Sequence, residues 1–307
     1  SCQLKFLILM NKFFQPFFAF IIVLISVFSC SEDMLNTAEP PRDYAEQYDV
    51  DNDSLINYLK THYYNYEDFQ SPPADELVEF EINAIPEGNT SLVPLFDQVS
   101  TETITITNAD DEEIEHNYYY IIAREGEGES PSVADSTYVT YKGSLLSGTV
   151  FDERTTPVWF DLTDLVRGFS DFTTKLKRGT YTENTDGTVD FMNFGAGMVF
   201  MPSGLGYYSQ ASGVISSYSP LIFTVNLLTY KQTDHDNDGV PSILEDLNGD
   251  RYLINDDTDS DTLPNYRDSD DDGDGTLTKD ELDTDNDGVY DDTDMDGVPD
   301  YLDSDNS

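Results

Sequence analysis

Cysteine is nearly missing from this chain: Cys2 and Cys30 are the two among 307 residues, and both precede any stretch that reads as folded. That leaves no disulfide framework and no thiol catalysis. Positive charge is also scarce, with 15 Lys and Arg against 61 Asp and Glu and a formal net charge of -46. Phosphates would be repelled, so nucleic acid is excluded as a partner. Close to half of the acid falls after Thr233, which makes it the property of a tail. Heptads are absent, so nothing points to coiled-coil pairing. The length leaves room for one or two compact domains plus appendages.

What is present begins with a targeting segment. Met10 followed by Asn11 and Lys12 is a better start than Ser1, and residues 1–9 read as translated upstream sequence. Lys12 supplies a short positive region, and residues 13–28 are apolar apart from Gln15 and Pro16. A short apolar region ending in a small residue is a secretory signal; a spanning helix needs about 20 apolar residues. The Ser29-Cys30 ending resembles a bacterial lipobox. That resemblance implies a signal peptide over residues 1–29, lipidation of Cys30 and attachment to a membrane through the lipid. The alternative is an uncleaved anchor; both export the remainder to a bacterial cell envelope. Ser31, Glu32 and Asp33 resemble the acidic tag of surface lipoproteins. Residues 30–50 are polar, contain Pro40-Pro41 and read as a tether.

Residues 51–116 read as an N-terminal extension. Leu55, Ile56, Leu59 and Tyr63 recur at helical spacing, which predicts an amphipathic helix over 51–64 capped by Asp51 or Asp53. His62 sits on it alone, so it reads as a solvated or packing residue. Residues 77–82 and 101–107 alternate as strands do.

The core reads as residues 117–231. A strand covers 118–122 and a turn-rich link 126–131. Over 136–152, Tyr138, Val139 and Tyr141 favour extended backbone, Ser147-Gly148 makes a turn, and Val150-Phe151 resumes a strand. Phe169, Phe172 and Leu176 fall at helical spacing, with Gly179 as a stop. Residues 198–202 read as a strand and 202–207 as a loop. Leu221, Phe223, Val225 and Leu227 alternate with Ile222, Thr224, Asn226 and Leu228, which predicts a strand with one apolar face. The sum is a short helix laid against an antiparallel sheet, an α+β architecture.

Tyr141, Phe151, Asp152, Phe160, Leu165, Val166, Gly168, Phe169, Pro202, Leu205, Tyr207, Ile215, Leu221 and Phe223 occur in that order. The series resembles the FKBP-type peptidyl-prolyl isomerase family over 117–230. The resemblance implies a folding helper acting on X-Pro bonds of proline-containing polypeptides, with no cofactor for catalysis. It places Phe169 as the floor of a cup and Tyr141, Phe151, Phe160, Val166, Ile215 and Phe223 as walls. Asp152 and the Tyr207 hydroxyl become polar contacts at the rim, with Tyr207 donating to a substrate carbonyl. Each aromatic taken alone reads as core packing. Phe169 stands where the family most often has Trp, and Val158 where an aromatic is common. Tyr208 stands where Gly is common, which implies a different loop path. An insertion over 180–197 carries a hairpin-like turn that either covers the cup or extends a strand pair. A non-catalytic binding or adhesion module on the same fold is the competing reading.

The tail over 234–307 repeats Asp-x-Asp-x-Asp-Gly, at Asp234-Asp236-Asp238, Asp270-Asp272-Asp274 and Asp283-Asp285-Asp287. Degenerate copies start at Asp257 and Asp292, the latter with Asp294 and Asp296. Alternate oxygens wrap a hard cation, and glycine at the sixth position permits the turn. Asp270, Asp272, Asp274, Thr276 through its carbonyl, and Glu281 match every EF-hand loop position; Asp234, Asp236, Asp238 and Glu245 match a second loop. No long helices flank them, and the close spacing resembles thrombospondin type 3 repeats, which implies structural Ca2+. Without metal, so little apolar content reads as a disordered tail.

Overall fold

A computed structural model describes residues 40–305, apart from 72, 73, 78, 109 and 286. The expected signal peptide, Cys30 and residues 30–39 of the tether lie outside the described residues. No helix among the described residues is long and apolar enough to cross a membrane.

The first element is α1, Tyr44–Thr61. It begins seven residues before the expected helix, because Asp43 caps it by accepting from the amides of Ala45 and Glu46 at 2.9 and 3.0 Å. The tether expected to reach residue 50 therefore gives way to helix at 44. Asp51 is not a cap. It is buried and accepts from the amide and hydroxyl of Ser203 at 2.7 and 2.6 Å. Two short strands follow, β1 at His62–Tyr64 and β2 at Ile82–Ala84, so Tyr63 leaves the helix and the strand expected over 77–82 shrinks to its last residue and the two beyond. The His62 ring stacks on Tyr58 at 3.8 Å, a packing role.

The main sheet has the order β3-β4-β9-β10-β5-β6, all antiparallel. Its strands are β3 Ser100–Thr107, β4 Glu113–Arg124, β5 Ser136–Leu145, β6 Val150–Asp161, β9 Gly195–Met201 and β10 Leu221–Lys231. β3 pairs with β4 along its whole length, so the sheet reaches back into the expected extension, and a boundary at 117 would cut β4. Helix α2, Arg167–Thr173, packs on one face through Phe169 and Phe172, with Leu176 just past its end. There it meets Phe223, Val225 and Leu227. The other face is not solvated. Leu55, Tyr58 and Leu59 of α1 cover Met198, Phe200 and Ile222. β10 thus keeps the one apolar face expected, Leu221, Phe223, Val225 and Leu227, while its mixed face of Ile222, Thr224, Asn226 and Leu228 is also largely covered because the extension supplies a second layer.

A Cβ on Gly168 would stand 2.7 Å from Met201 Sδ and 3.2 Å from Leu205 Cβ. That glycine lets α2 lie close on β9. Gly168→Ala is expected to cost about 1–3 kcal/mol by overpacking; urea unfolding measures it, and an unchanged midpoint would contradict the tight approach.

The insertion forms its own hairpin, β7 Thr180–Glu183 with β8 Val189–Met192, and Phe191 meets Tyr138 at 5.7 Å. It does not cover the cup, and its last three residues, 195–197, lengthen the strand expected from 198 into β9. The tail contains short 3-10 turns, such as Ser242–Glu245 and Leu253–Asn255, and no α-helix among the described residues. It docks on the sheet domain. Leu253 and Tyr266 pack with Val133 and Ala134. Arg251 pairs with Asp171 at 2.8 Å, and His235 Nε2 lies 2.8 Å from Asp161 Oδ2.

Candidate active site

One cavity of about 670 Å³ collects all nine residues expected around the cup. Neighbouring strands deliver most of them. Tyr141 faces Val225 on β10, while Phe223, Gly143 and Asp152 lie side by side across β10, β5 and β6. Gly143 matters because a Cβ there would stand 2.4 Å from Phe151 and 2.9 Å from Phe223. Its absence lets those two rings meet edge to face at 5.4 Å. Val166 caps α2 without a side-chain bond, and the Phe169 amide donates to its carbonyl at 2.9 Å. That turn lays Phe169 on the floor, edge to face with Phe223 at 5.1 Å and with Tyr141 at 6.1 Å. Phe160 tilts against Tyr141 at 5.3 Å. Ile215 is buried and closes the far wall.

The polar groups divide. The Tyr141 hydroxyl donates to Asp152 Oδ2. Burial, then the hydrogen bond and charge of Asp152, push the Tyr141 pKa above its ordinary value. Asp152 Oδ1 accepts from the Glu153 amide at 2.9 Å and has Arg154 at 3.8 Å. Tyr207 is 37% exposed, and its hydroxyl has no partner among the described residues. Tyr208 takes a φ of +48°, the left-handed region where glycine is at ease. Its ring is held there by stacking on Tyr44 at 3.9 Å, and its hydroxyl donates to the Arg42 carbonyl. The strain of a left-handed tyrosine is thus offset by the extension.

The tail gathers carboxylates. Asp234, Asp236 and Asp238 have ligand-type atoms within 4.8 Å of one another, as do Asp270, Asp272 and Asp274. Glu245 joins Asp238 and Asp271 in another such group. Glu245 is 1% exposed, and neither of its carboxylate oxygens has a hydrogen-bond partner among the described residues. Burial, then Asp236 and Asp271, push its pKa up to about 9; burial and Asp238 push Asp271 to about 8. Three of the loops fold alike. The first Asp accepts from the amide five residues on: Asp234 from Gly239, Asp283 from Gly288 and Asp292 from Gly297. Asp287 and Asp296 amides donate in turn to Asp285 and Asp294. The Thr276 amide donates to Asp274 at 2.6 Å, and Glu281 is buried.

A family model described as FKBP-type peptidyl-prolyl cis-trans isomerase matches residues 127–228, and one described as BamM C-terminal matches residues 235–290. Over 116 residues the chain is 32% identical to FK506-binding protein 1 of Dictyostelium discoideum, covering 36% of this chain and 94% of that protein. The chain belongs to the FKBP-type peptidyl-prolyl cis-trans isomerase family. It is 33% identical over 117 residues to peptidyl-prolyl cis-trans isomerase Mip of Coxiella burnetii, covering 37% of this chain and 44% of Mip. It therefore spans less than half of the length of that relative. The crystal structure of FkpA from Escherichia coli matches at 26% identity and a TM-score of 0.31, over 42% of this chain and 53% of that one.

Arg154, Asp164 and Val214 also line the cup of this FKBP-type domain and escaped sequence reasoning. Arg154 was legible as the residue two beyond Asp152 on one strand; the other two depend on loop paths. In the tail, Asp271 was missed because strict alternation made it a spacer between Asp270 and Asp272. A loop starting at Asp246 was missed because Arg251 occupies the glycine position. Arg251 nevertheless takes a φ of +64° and donates its amide to Asp246 at 3.0 Å.

Proposed function

We propose that the FKBP-type domain catalyses cis-trans isomerisation of X-Pro bonds in exported polypeptides, as a lipid-anchored folding helper of a bacterial cell envelope. The observation that carries this is the convergence of nine side chains from separate elements on one ring-lined cavity. Twisting a peptide bond costs roughly 18–20 kcal/mol because amide resonance is lost. For X-Pro the isomers are nearly balanced but interconvert slowly. A dry apolar cup holds the prolyl ring and leaves the polar, resonance-stabilised form of the amide poorly solvated. No acid, base or nucleophile takes part. Tyr141 is committed to Asp152, so the unpartnered Tyr207 hydroxyl is the donor to a substrate carbonyl.

A prolyl-peptide isomerisation assay tests this. Wild type is expected to accelerate the reaction. Asp152→Val, which strands the Tyr141 hydroxyl, is expected to lower kcat/KM about tenfold, the size of one charged hydrogen bond. Phe169→Ala opens the floor and lowers it further, with circular dichroism reporting whether the fold survives. Wild-type protein no faster than the uncatalysed reaction would leave the binding or adhesion reading, which Val158, Phe169 and Tyr208 favour.

We read residues 234–305 as calcium-binding repeats of the type the spacing resembles. An ionised Glu245 buried without a partner costs several kcal/mol unless a cation neutralises it. Asp238, Glu245 and Asp271 would hold one ion, Asp234 and Asp236 with Asp238 another, and the loops from Asp246, Asp257, Asp270, Asp283 and Asp292 others. Bound calcium would supply the positive charge that lets these carboxylates stay ionised together. The anchor follows from the Ser29-Cys30 ending. Labelling with a fatty acid is expected on the intact chain and lost in Cys30→Ser; equal labelling of both would remove the lipoprotein reading.

A further inference from the structure

A second cavity, of about 310 Å³, adjoins the prolyl cup and shares Leu165 and Val166 with it. One side is the start of α2. The other is not part of the sheet domain at all: it is the tail segment carrying Tyr252 and Ile254. Those residues are 43% and 54% exposed. Leu253 between them is buried against Val133, Ala134 and Tyr266, which pins the segment in place. The charged groups at the groove are already engaged. Arg167 donates to the Asp250 carbonyl at 2.9 Å and lies 4.8 Å over the Tyr252 ring. Asp171 takes Arg251 at 2.8 Å and the Tyr118 hydroxyl at 3.0 Å. What remains for a visitor is mostly apolar surface whose charged neighbours are engaged, continuous with the cup.

We propose that this groove is a second subsite for the polypeptide whose proline fills the cup, taking one large apolar side chain close to that proline. The tail thereby becomes part of the substrate site and selects among prolyl segments. Continuity fixes the occupant: a chain lying in the cup over Leu165 and Val166 runs directly onto the groove. The choice of visitor rests on the prolyl reading of the cup, so the experiment reads binding separately from catalysis.

The probes are labelled peptides of about ten residues, long enough at roughly 3.3 Å per residue to cross both cavities. Each has one proline in a glycine-serine background. One series carries a leucine at successive positions on either side, and a control has none. Fluorescence anisotropy on the full chain is expected to show at least one leucine position binding about tenfold tighter than the control, the effect of burying one leucine. Ile254→Asp is expected to erase that preference and Tyr252→Ala to halve it or more, with circular dichroism showing both variants folded. Leucine peptides that bind no better than the control overturn the proposal. So does a leucine preference that survives Ile254→Asp, because the side chain then sits elsewhere. Turnover of a prolyl tetrapeptide scores the isomerase reading on its own. A chain with the Ile254-dependent preference and no turnover keeps the subsite and loses the enzyme; turnover without the preference does the reverse.

Discussion

Stripping calcium with a chelator is expected to lower the melting temperature by about 10 °C and to change the circular dichroism of the tail. Extracellular-type sites are weak, and a tenfold excess of ion over Kd stabilises by about 1.4 kcal/mol per site, so filling three of the proposed sites gives about 4 kcal/mol. At about 2–4 °C per kcal/mol for a chain of this size, the shift follows. The chelated protein should also respond to pH in a set direction. Burial and neighbouring carboxylates raise Glu245 to about 9 and Asp271 to about 8. The folded, calcium-free tail then holds protons that the unfolded chain releases above its ordinary carboxylate range. Its stability is present below about pH 4 and is lost as pH rises through about 8 to 9. In chelator it should melt higher at pH 6 than at pH 8. Calcium must displace the same protons, so its affinity rises over that window. An identical melting curve with and without calcium would remove metal-coupled folding.

Arg251→Ala is expected to destabilise the protein by about 2 kcal/mol in urea. Asp171 is 3% exposed on α2, and its partners are Arg251 and the Tyr118 hydroxyl. Removing the guanidinium strands a buried carboxylate. A fully buried pair loses roughly 3–5 kcal/mol this way; the Arg251 side chain is 47% exposed, so water screens part of it. Asp171→Asn together with Arg251→Ala should cost less than the two separately, because the orphaned charge is gone. Because Asp171 and Phe169 share α2, the single variant is also expected to loosen the floor of the cup. Arg251→Ala within about 0.5 kcal/mol of wild type would show that the tail and the FKBP-type domain are independent.

The cup was legible through the ordered series that resembles the FKBP-type pattern; alternation by itself put Tyr141, Phe151 and Phe223 on strands and left each as a packing residue. Glycine at 143 carried no comparable signal, since its role is to be missing beneath two rings from other strands. The tail loops were legible wherever glycine holds the sixth position. The loop at Asp246 was hidden because Arg251 takes that backbone shape, held by Asp246 and Asp171.

By itself the sequence determined the α+β class and the acidic repeat, since each depends on local spacing and residue type, while the cup residues were assigned through the family resemblance. Tertiary structure decided the rest. It set where α1 begins, the burial of β10 on both sides, the meeting of Asp238, Glu245 and Asp271, and the tail wall beside the cup. Each of these brings together residues far apart along the chain, and no periodicity in a sequence records a contact that only packing creates.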